Sequence, residues 1–251
     1  MLSPCPPASF LSSSSRPDRR CNGALFHFRC PDVTSLAMRT VIFDLDGTLA
    51  DTGADLIAAA NACLSQAGGR PLDPVADAAT AFRGGRAMLA AGGLTPDQVD
   101  QQYPLFLEVY GAALCTHTVL YPGAMAAVDR LDQDGYRVGI CTNKPEALAE
   151  KLLRALGVRE RFGALIGADT LPVRKPDPAP LLETVRRLDG DPKRACLVGD
   201  TVTDRQTARA AGVPCILVGF GPGAGGVAAL EPEAVIGHFD DLPAAVAALR
   251  L

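Results

Sequence analysis

Histidine is scarce in this chain: His27, His117 and His238 are the only three among 251 residues, too far apart in sequence to form a local zinc motif. Phosphate-loop chemistry is also missing. The four lysines precede Pro145, Leu152, Pro176 and Arg194, so no Gly-x-x-x-x-Gly-Lys-Ser/Thr exists. Gly219-x-Gly-x-Gly lacks the helix pattern that follows a dinucleotide-binding turn and reads as a loop. No apolar run approaches the roughly 18 residues that span a bilayer, which predicts a soluble protein. Lys and Arg total 24 against 28 Asp and Glu, a net charge of -4 with no long basic run. A nucleic-acid or anionic-membrane surface is thereby disfavoured, and a small soluble substrate is expected.

The eight cysteines, at 5, 21, 30, 63, 115, 141, 196 and 215, contain no Cys-x-x-Cys pair. None has an arginine six residues later, which removes a cysteine-based phosphatase; Cys141, for example, is followed by Ala147. In a chain far longer than a disulfide scaffold they read as reduced, mostly buried thiols, in keeping with a cytoplasmic location. What the chain has in quantity is apolar material, 48% of its residues, enough for one large domain or one domain with a modest insertion.

Residues 1–37 stand apart, with seven Ser, five Pro and four Arg against two Asp. That composition predicts either a disordered leader or a mis-assigned start, with Met38 as the true first residue. Organelle targeting is the lesser alternative, because Pro4, Pro6, Pro7 and Pro17 spoil an amphipathic helix.

From Met38 onward, short β-rich runs alternate with helical patterns. The strand candidates are Thr40 to Leu45, Tyr136 to Cys141, Ala164 to Gly167, Ala195 to Val198 and Pro214 to Val218. Helices are predicted over Pro145 to Leu156, Pro178 to Leu188 and Thr203 to Ala211. The alternation predicts an α/β fold with a doubly wound parallel sheet. Between Gly53 and Leu120 it stops, and Ala54 to Ala67, Pro74 to Ala91 and Pro96 to Leu114 read as helices. The expected organisation is a core of residues 38–52 and 121–251, with a small helical cap, 53–120, inserted after the first strand.

In such sheets ligands bind beyond the carboxyl ends of the strands, and four strand ends here carry polar clusters. Asp44 and Asp46 lie two apart, on one side if extended geometry persists. At 4 Å and an effective dielectric near 20 two such carboxylates repel by roughly 4 kcal/mol, so a cation is implied. A calcium loop would need further acids where Leu49 and Ala50 stand. Thr142-Asn143-Lys144 closes the second strand at a helix start, where free backbone N–H groups favour an anion. Lys175 sits in the proline-stiffened Arg174-Lys175-Pro176-Asp177-Pro178. Asp200 and Asp204, four apart in Gly199-Asp200-Thr201-Val202-Thr203-Asp204, share one face of a helix start.

Asp-x-Asp-Gly-Thr, the Thr-Asn corner, Lys-Pro and Gly-Asp-x-x-x-Asp, in this order and each at a strand end, resemble the haloacid dehalogenase superfamily of phosphohydrolases. The resemblance spans nearly everything from Met38 and implies a Rossmann-like core with a helical cap. It implies Asp44 as the nucleophile that attacks phosphorus and Asp46 as the acid and then the base. It also implies Mg²⁺ held by the side chains of Asp44 and Asp200 and the backbone carbonyl of Asp46, with Asp204 orienting waters. Thr142, Asn143 and Lys175 would take the phosphoryl oxygens. Retention of the second acid, Asp46, disfavours dehalogenation.

Within the superfamily, Phe43 to Thr52, Thr142 to Pro145, Lys175 to Pro178 and Gly199 to Thr201 look most like phosphoglycolate phosphatases. The expected reaction is hydrolysis of 2-phosphoglycolate by a monomer or homodimer. Phe82-Arg83-Gly84-Gly85-Arg86 departs from the Gly-x-Gly turn usual there, and Arg83 or Arg86 is a candidate for a substrate carboxylate. The alternatives are a phosphomutase of the β-phosphoglucomutase type, a phosphatase for another sugar phosphate or a nucleotide, and a non-catalytic phosphate-binding protein.

Overall fold

A computed structural model of the chain describes residues 38–221 and 225–251. The leader therefore lies outside the described residues, as does part of the Gly219-x-Gly-x-Gly loop.

Strand β1 (Met38–Phe43) is followed by the two-residue β2 (Ala50–Asp51) and four helices: α1 (Gly53–Ala67), α2 (Ala78–Ala81), α3 (Gly85–Ala91) and α4 (Pro96–Ala112). Strand β3 (Val119–Leu120) then leads through α5 (Ala124–Gln133), β4 (Tyr136–Cys141), α6 (Glu146–Ala155), β5 (Ala164–Ile166), α7 (Ala179–Arg187), β6 (Gly190–Gly199), α8 (Val202–Ala211) and β7 (Cys215–Val218). The chain ends with β8 (Ala234–Ile236) and α9 (Leu242–Ala248).

Six strands form one sheet in the order β5-β4-β1-β6-β7-β8, with every neighbouring pair parallel. Alternating side chains divide between the two faces, as strand geometry requires. Val41, Phe43, Cys196 and Val198 join α5, α6 and α9 on one face, while Ile42, Ala195 and Leu197 join α7 and α8 on the other. Apolar strands covered on both sides are what a parallel sheet demands. Each fully buried Val, Ile, Leu or Phe contributes about 1.5–3 kcal/mol of transfer free energy.

Strand β1 is central: the chain runs outward from it to β4 and β5 on one side, then crosses back to β6 and continues outward to β7 and β8 on the other. Residues just past Phe43 therefore emerge at the switch point of the sheet, where a crevice opens. Strand β1 stops at Phe43, so extended geometry does not continue to Asp46, which makes only an isolated bridge to Ala50.

The helix expected over Pro74 to Ala91 is broken. Asp73 turns the chain first, its carboxylate accepting from the N–H groups of Val75 (2.8 Å) and Ala76 (2.7 Å). Helix α2 then ends within one turn, and Gly84 at φ 92° separates it from α3. Helix α4 starts cleanly because Thr95 and Gln98 form a reciprocal capping box.

The helical stretch leaves and rejoins the sheet at one place. Ala50 and Asp51 pair antiparallel with Leu120 and Val119. Beside that ladder, the buried carboxylate of Asp55 accepts hydrogen bonds from the N–H groups of Thr116, His117 and Thr118 at 2.9–3.0 Å and from the Thr118 hydroxyl at 2.7 Å.

Candidate active site

A cavity of about 480 Å³ opens beyond the carboxyl ends of β1 and β4, and the helical insert walls its far side. Asp44, Asp46, Thr142, Asn143 and Lys175 line it from the sheet, and Arg83 and Arg86 line it from the insert. Seven residues singled out from sequence thus face one space. Asp200 and Asp204 lie beneath: side-chain oxygens of Asp44, Asp200 and Asp204 all fall within 4.8 Å of one another, and Asp204 is fully buried.

Two glycines make this convergence possible. Gly47 turns the chain at φ 81°, and a Cβ there would stand 2.4 Å from Asp200 Oδ2. A Cβ at Gly199 would stand 2.4 Å from the Asp204 side chain. Both positions need the absence of a side chain to let carboxylates approach the backbone.

Lys175 Nζ binds Asp204 Oδ1 at 2.6 Å and stands 3.0 Å from Asp44 Oδ1, out of line for a hydrogen bond. Burial disfavours its charge, but Asp204 and Asp44 outweigh that and push its pKa up. Asp204 Oδ2 accepts from Thr201 Oγ1 (2.7 Å) and from the N–H groups of Thr201 (3.1 Å) and Asp200 (3.3 Å). Burial would raise its pKa, and Lys175 with these donors brings it below the usual range. With both oxygens so occupied, Asp204 suits orienting a ligand shell better than direct ligation.

Asp44 and Asp200 are differently placed. Burial chiefly raises Asp44 to about 6; Lys175 opposes, and Asp204 and Asp46 reinforce. Burial, Asp204 and Asp44 raise Asp200 well above its ordinary value, against the Thr48 hydroxyl, which donates to its Oδ1 at 2.9 Å, and Lys175. Asp44 Oδ1 and Asp200 Oδ2 are buried and accept no hydrogen bond from the described residues. Orphaned buried oxygens of this kind carry a cost that a bound cation removes. Among the described residues, Asp44, Asp46, Asp200 and Asp204 pair with two ammonium groups, Lys144 and Lys175, which leaves two negative charges uncompensated when all are ionised. Hard oxygen donors and a double negative charge fit a divalent ion such as Mg²⁺.

The Asp46 side chain stands outside the carboxylate trio. Its Oδ1 accepts from Lys144 Nζ at 2.8 Å. Any share it has in holding a cation falls to its backbone carbonyl. Thr142 Oγ1 accepts from the Lys144 N–H at 3.2 Å, and Asn143 Nδ2 donates to the Lys175 carbonyl at 3.0 Å, which braces the loop that carries the lysine. Of the backbone N–H groups expected to be free at the start of α6, that of Glu146 is taken, donating to Asp169 Oδ1 at 2.7 Å. Arg86 is also engaged, in an ion pair with Asp100 and 4.4 Å above the Tyr103 ring, whereas Arg83 makes no side-chain contact of this kind among the described residues.

Sequence reasoning passed over Lys144, Tyr110, Thr48 and Arg174. Lys144 is 6% exposed and bridges Asp46 to Tyr110; Arg174 is exposed on the cavity rim. The one available signal was position: Lys144 directly follows a strand-end pair already of interest. Tyr110 carried only the weak signal of an aromatic stripe, Tyr103, Phe106 and Tyr110, at helical spacing.

The profile of the haloacid dehalogenase-like hydrolase family matches residues 38–212. A phosphoglycolate phosphatase from Mesorhizobium japonicum is 40% identical over 208 residues, 80% of this chain and 92% of its own length. A phosphoglycolate phosphatase from Cereibacter sphaeroides is 40% identical over 215 residues, 82% of this chain and 96% of its own. Among solved structures, that of a predicted phosphoglycolate phosphatase from Haemophilus somnus superposes with a TM-score of 0.73 at 26% identity, covering 83% of this chain and 97% of the other.

Proposed function

We propose, from the premise that this chain belongs to the haloacid dehalogenase-like hydrolase family, that it hydrolyses 2-phosphoglycolate to glycolate and phosphate through an aspartyl-phosphate on Asp44. One observation carries the assignment of roles: Asp44 lines the cavity with a buried oxygen that accepts no hydrogen bond from the described residues, beside Lys175 and two residues from a second acid.

An Asp44 oxygen attacks phosphorus, the bond to the ester oxygen breaks, and the departing alkoxide takes a proton from Asp46. Water then attacks the aspartyl-phosphate, Asp46 takes its proton, and the phosphorus–Asp44 bond breaks to release phosphate and restore the Asp44 carboxylate and the protonated Asp46. Lys175, held by Asp204 and by the brace from Asn143, supplies fixed positive charge where the phosphoryl group sits. Thr142 and the Asn143 backbone present donors at the same rim. Mg²⁺, held by the side chains of Asp44 and Asp200 and the carbonyl of Asp46, with Asp204 orienting its waters, would neutralise charge between nucleophile and phosphate. Arg83, which pairs with no acid among the described residues, is the stronger candidate for the substrate carboxylate, since Arg86 already holds Asp100.

Residues 53–120 act in this reading as a cap over a core of 38–52 and 121–251. The free thiols of Cys63, Cys115, Cys141, Cys196 and Cys215 support a reducing, cytoplasmic setting. Among the described residues no helix is long and apolar enough to cross a membrane.

The test is phosphate release from a panel of phosphate esters with Mg²⁺ or with EDTA, with Asp44→Asn as control. Activity is expected only with the metal and only with Asp44. Activity in EDTA, or in Asp44→Asn, sinks the mechanism, and isomerisation of a sugar phosphate without net release points to a phosphomutase.

A further inference from the structure

Helix α4 lays three aromatic rings along the cavity. Tyr103 stacks on Phe106 and Phe106 on Tyr110, each pair 6.1 Å between centroids, and Arg86 caps the outer end. At the inner end Tyr110 is 2% exposed, and its hydroxyl accepts from Lys144 Nζ at 2.8 Å. The same Nζ donates to Asp46 Oδ1 at 2.8 Å. Asp46 accepts no other side-chain hydrogen bond from the described residues.

An exposed lysine keeps its head in water and its chain free, and holding it in one geometry costs about 1.5–2 kcal/mol of rotamer freedom. Lys144 instead lies inside, with one N–H on the predicted acid of the sheet and another on a hydroxyl of the helical insert. Asp46, whose side chain keeps 19% of its exposure at the cavity, would otherwise be free to rotate. Positioning of an acid against a leaving oxygen governs how much of its catalytic effect is realised.

We propose that Lys144 and Tyr110 are positioning residues that hold Asp46 toward the leaving oxygen, and that the hold depends on α4 being packed against the sheet edge. This rests on the phosphatase reading above, in which Asp46 is the acid. Among the described residues, the hydroxyl of Tyr110 is the one polar group the insert contributes to this chain of contacts. Withdrawal of α4 removes it and leaves Lys144 and Asp46 without a fixed third point.

Tyr110→Phe removes that hydroxyl and keeps the ring. Its kcat/KM, which reports only the steps up to departure of the leaving group, is compared for 2-phosphoglycolate and p-nitrophenyl phosphate. An alkoxide needs Asp46 to leave, whereas nitrophenolate leaves with little help from an acid. The expected result is a loss of about tenfold or more for 2-phosphoglycolate and less than about twofold for p-nitrophenyl phosphate, with Lys144→Met showing the same asymmetry more strongly. In an Asp46→Asn background, Tyr110→Phe should change nothing further. Equal slowing of both esters, or an undiminished effect of Tyr110→Phe in Asp46→Asn, overturns the proposal. If Lys144→Met does not fold, Tyr110→Phe and its cycle with Asp46→Asn decide alone. Activity surviving Asp44→Asn would instead overturn the phosphatase mechanism itself, a separate outcome.

Discussion

Replacing the buried carboxylate of Asp44 by an amide should stabilise the metal-free protein at alkaline pH while abolishing its activity. Asp44 is 8% exposed, and its pKa is raised from 3.8 to about 6, chiefly by burial. A raised value in the fold means that the native state holds the proton more tightly than the unfolded chain does. The stability contributed by this carboxyl is thus fully present below pH 3.8 and is lost as pH rises through 6. A shift of about two pH units corresponds to about 3 kcal/mol at pH 8, of which about half is already lost at pH 5.

Asn carries no charge and incurs no such loss, and in Asp44→Asn the Lys175 ammonium keeps Asp204 as partner. Urea unfolding of both proteins in EDTA, at several pH values between 4 and 8, measures the difference. Asp44→Asn should exceed the parent by about 3 kcal/mol at pH 8 and match it within about half a kilocalorie at pH 4. For a protein of this size the pH 8 difference is about 6–12 °C in Tm. Adding Mg²⁺ at pH 8 should raise the parent and leave Asp44→Asn nearly unmoved. A variant no more stable than the parent at pH 8, or an advantage that does not shrink toward pH 4, would refute the reasoning.

Three further outcomes follow from the same geometry. Lys175→Met leaves Asp44 and Asp204 facing each other without their shared cation and should cost about 3–5 kcal/mol in denaturant unfolding at pH 7. Gly85→Ala places a Cβ 2.3 Å from the Phe106 ring, so α3 and α4 must part; the expected loss is about 1–3 kcal/mol, read by thermal melts. Arg83→Ala should raise KM for 2-phosphoglycolate at least tenfold with little change for p-nitrophenyl phosphate, which has no carboxylate, while Arg86→Ala should act mainly on stability through Asp100; unchanged KM in both removes the carboxylate role.

The sheet core was legible because its strands are short apolar runs between glycines, prolines and polar strand ends, and a parallel sheet buried on both faces produces that pattern. Ala195 to Val198 was recognised and the rest of β6 was not, since Asp191 to Arg194 is polar and lies at the exposed end of the strand. The three-residue β8 and the two-residue β2 and β3 are too short to show any period. Pro74 to Ala91 misled because apolar spacing does not register an aspartate that turns the chain at Asp73, or a glycine at φ 92°. At the site, the residues that meet the sheet edge were legible as motifs at strand ends. Lys144 and Tyr110 were not, because a lysine's burial is decided by partners 98 and 34 positions away in sequence. The pairing of Arg86 with Asp100 was hidden for the same reason: it depends on how α3 lies across α4.

The insert enters and leaves the sheet through one doorway, fastened by two antiparallel residue pairs and by the carboxylate of Asp55 gathered around three successive N–H groups. Chain ends that sit a strand spacing apart, about 5 Å, can be closed by a tight turn as readily as by four helices. The stretch between Asp51 and Val119 is thus joined to the sheet at one place, and its length can vary provided that Asp55, Thr116 to Thr118 and Tyr110 keep their contacts. Apart from Tyr110, its cavity-facing side chains can be rewritten without disturbing the register of β1 with β4 and β6 that places the three carboxylates. Selectivity and chemistry can thus diverge at different speeds along one chain.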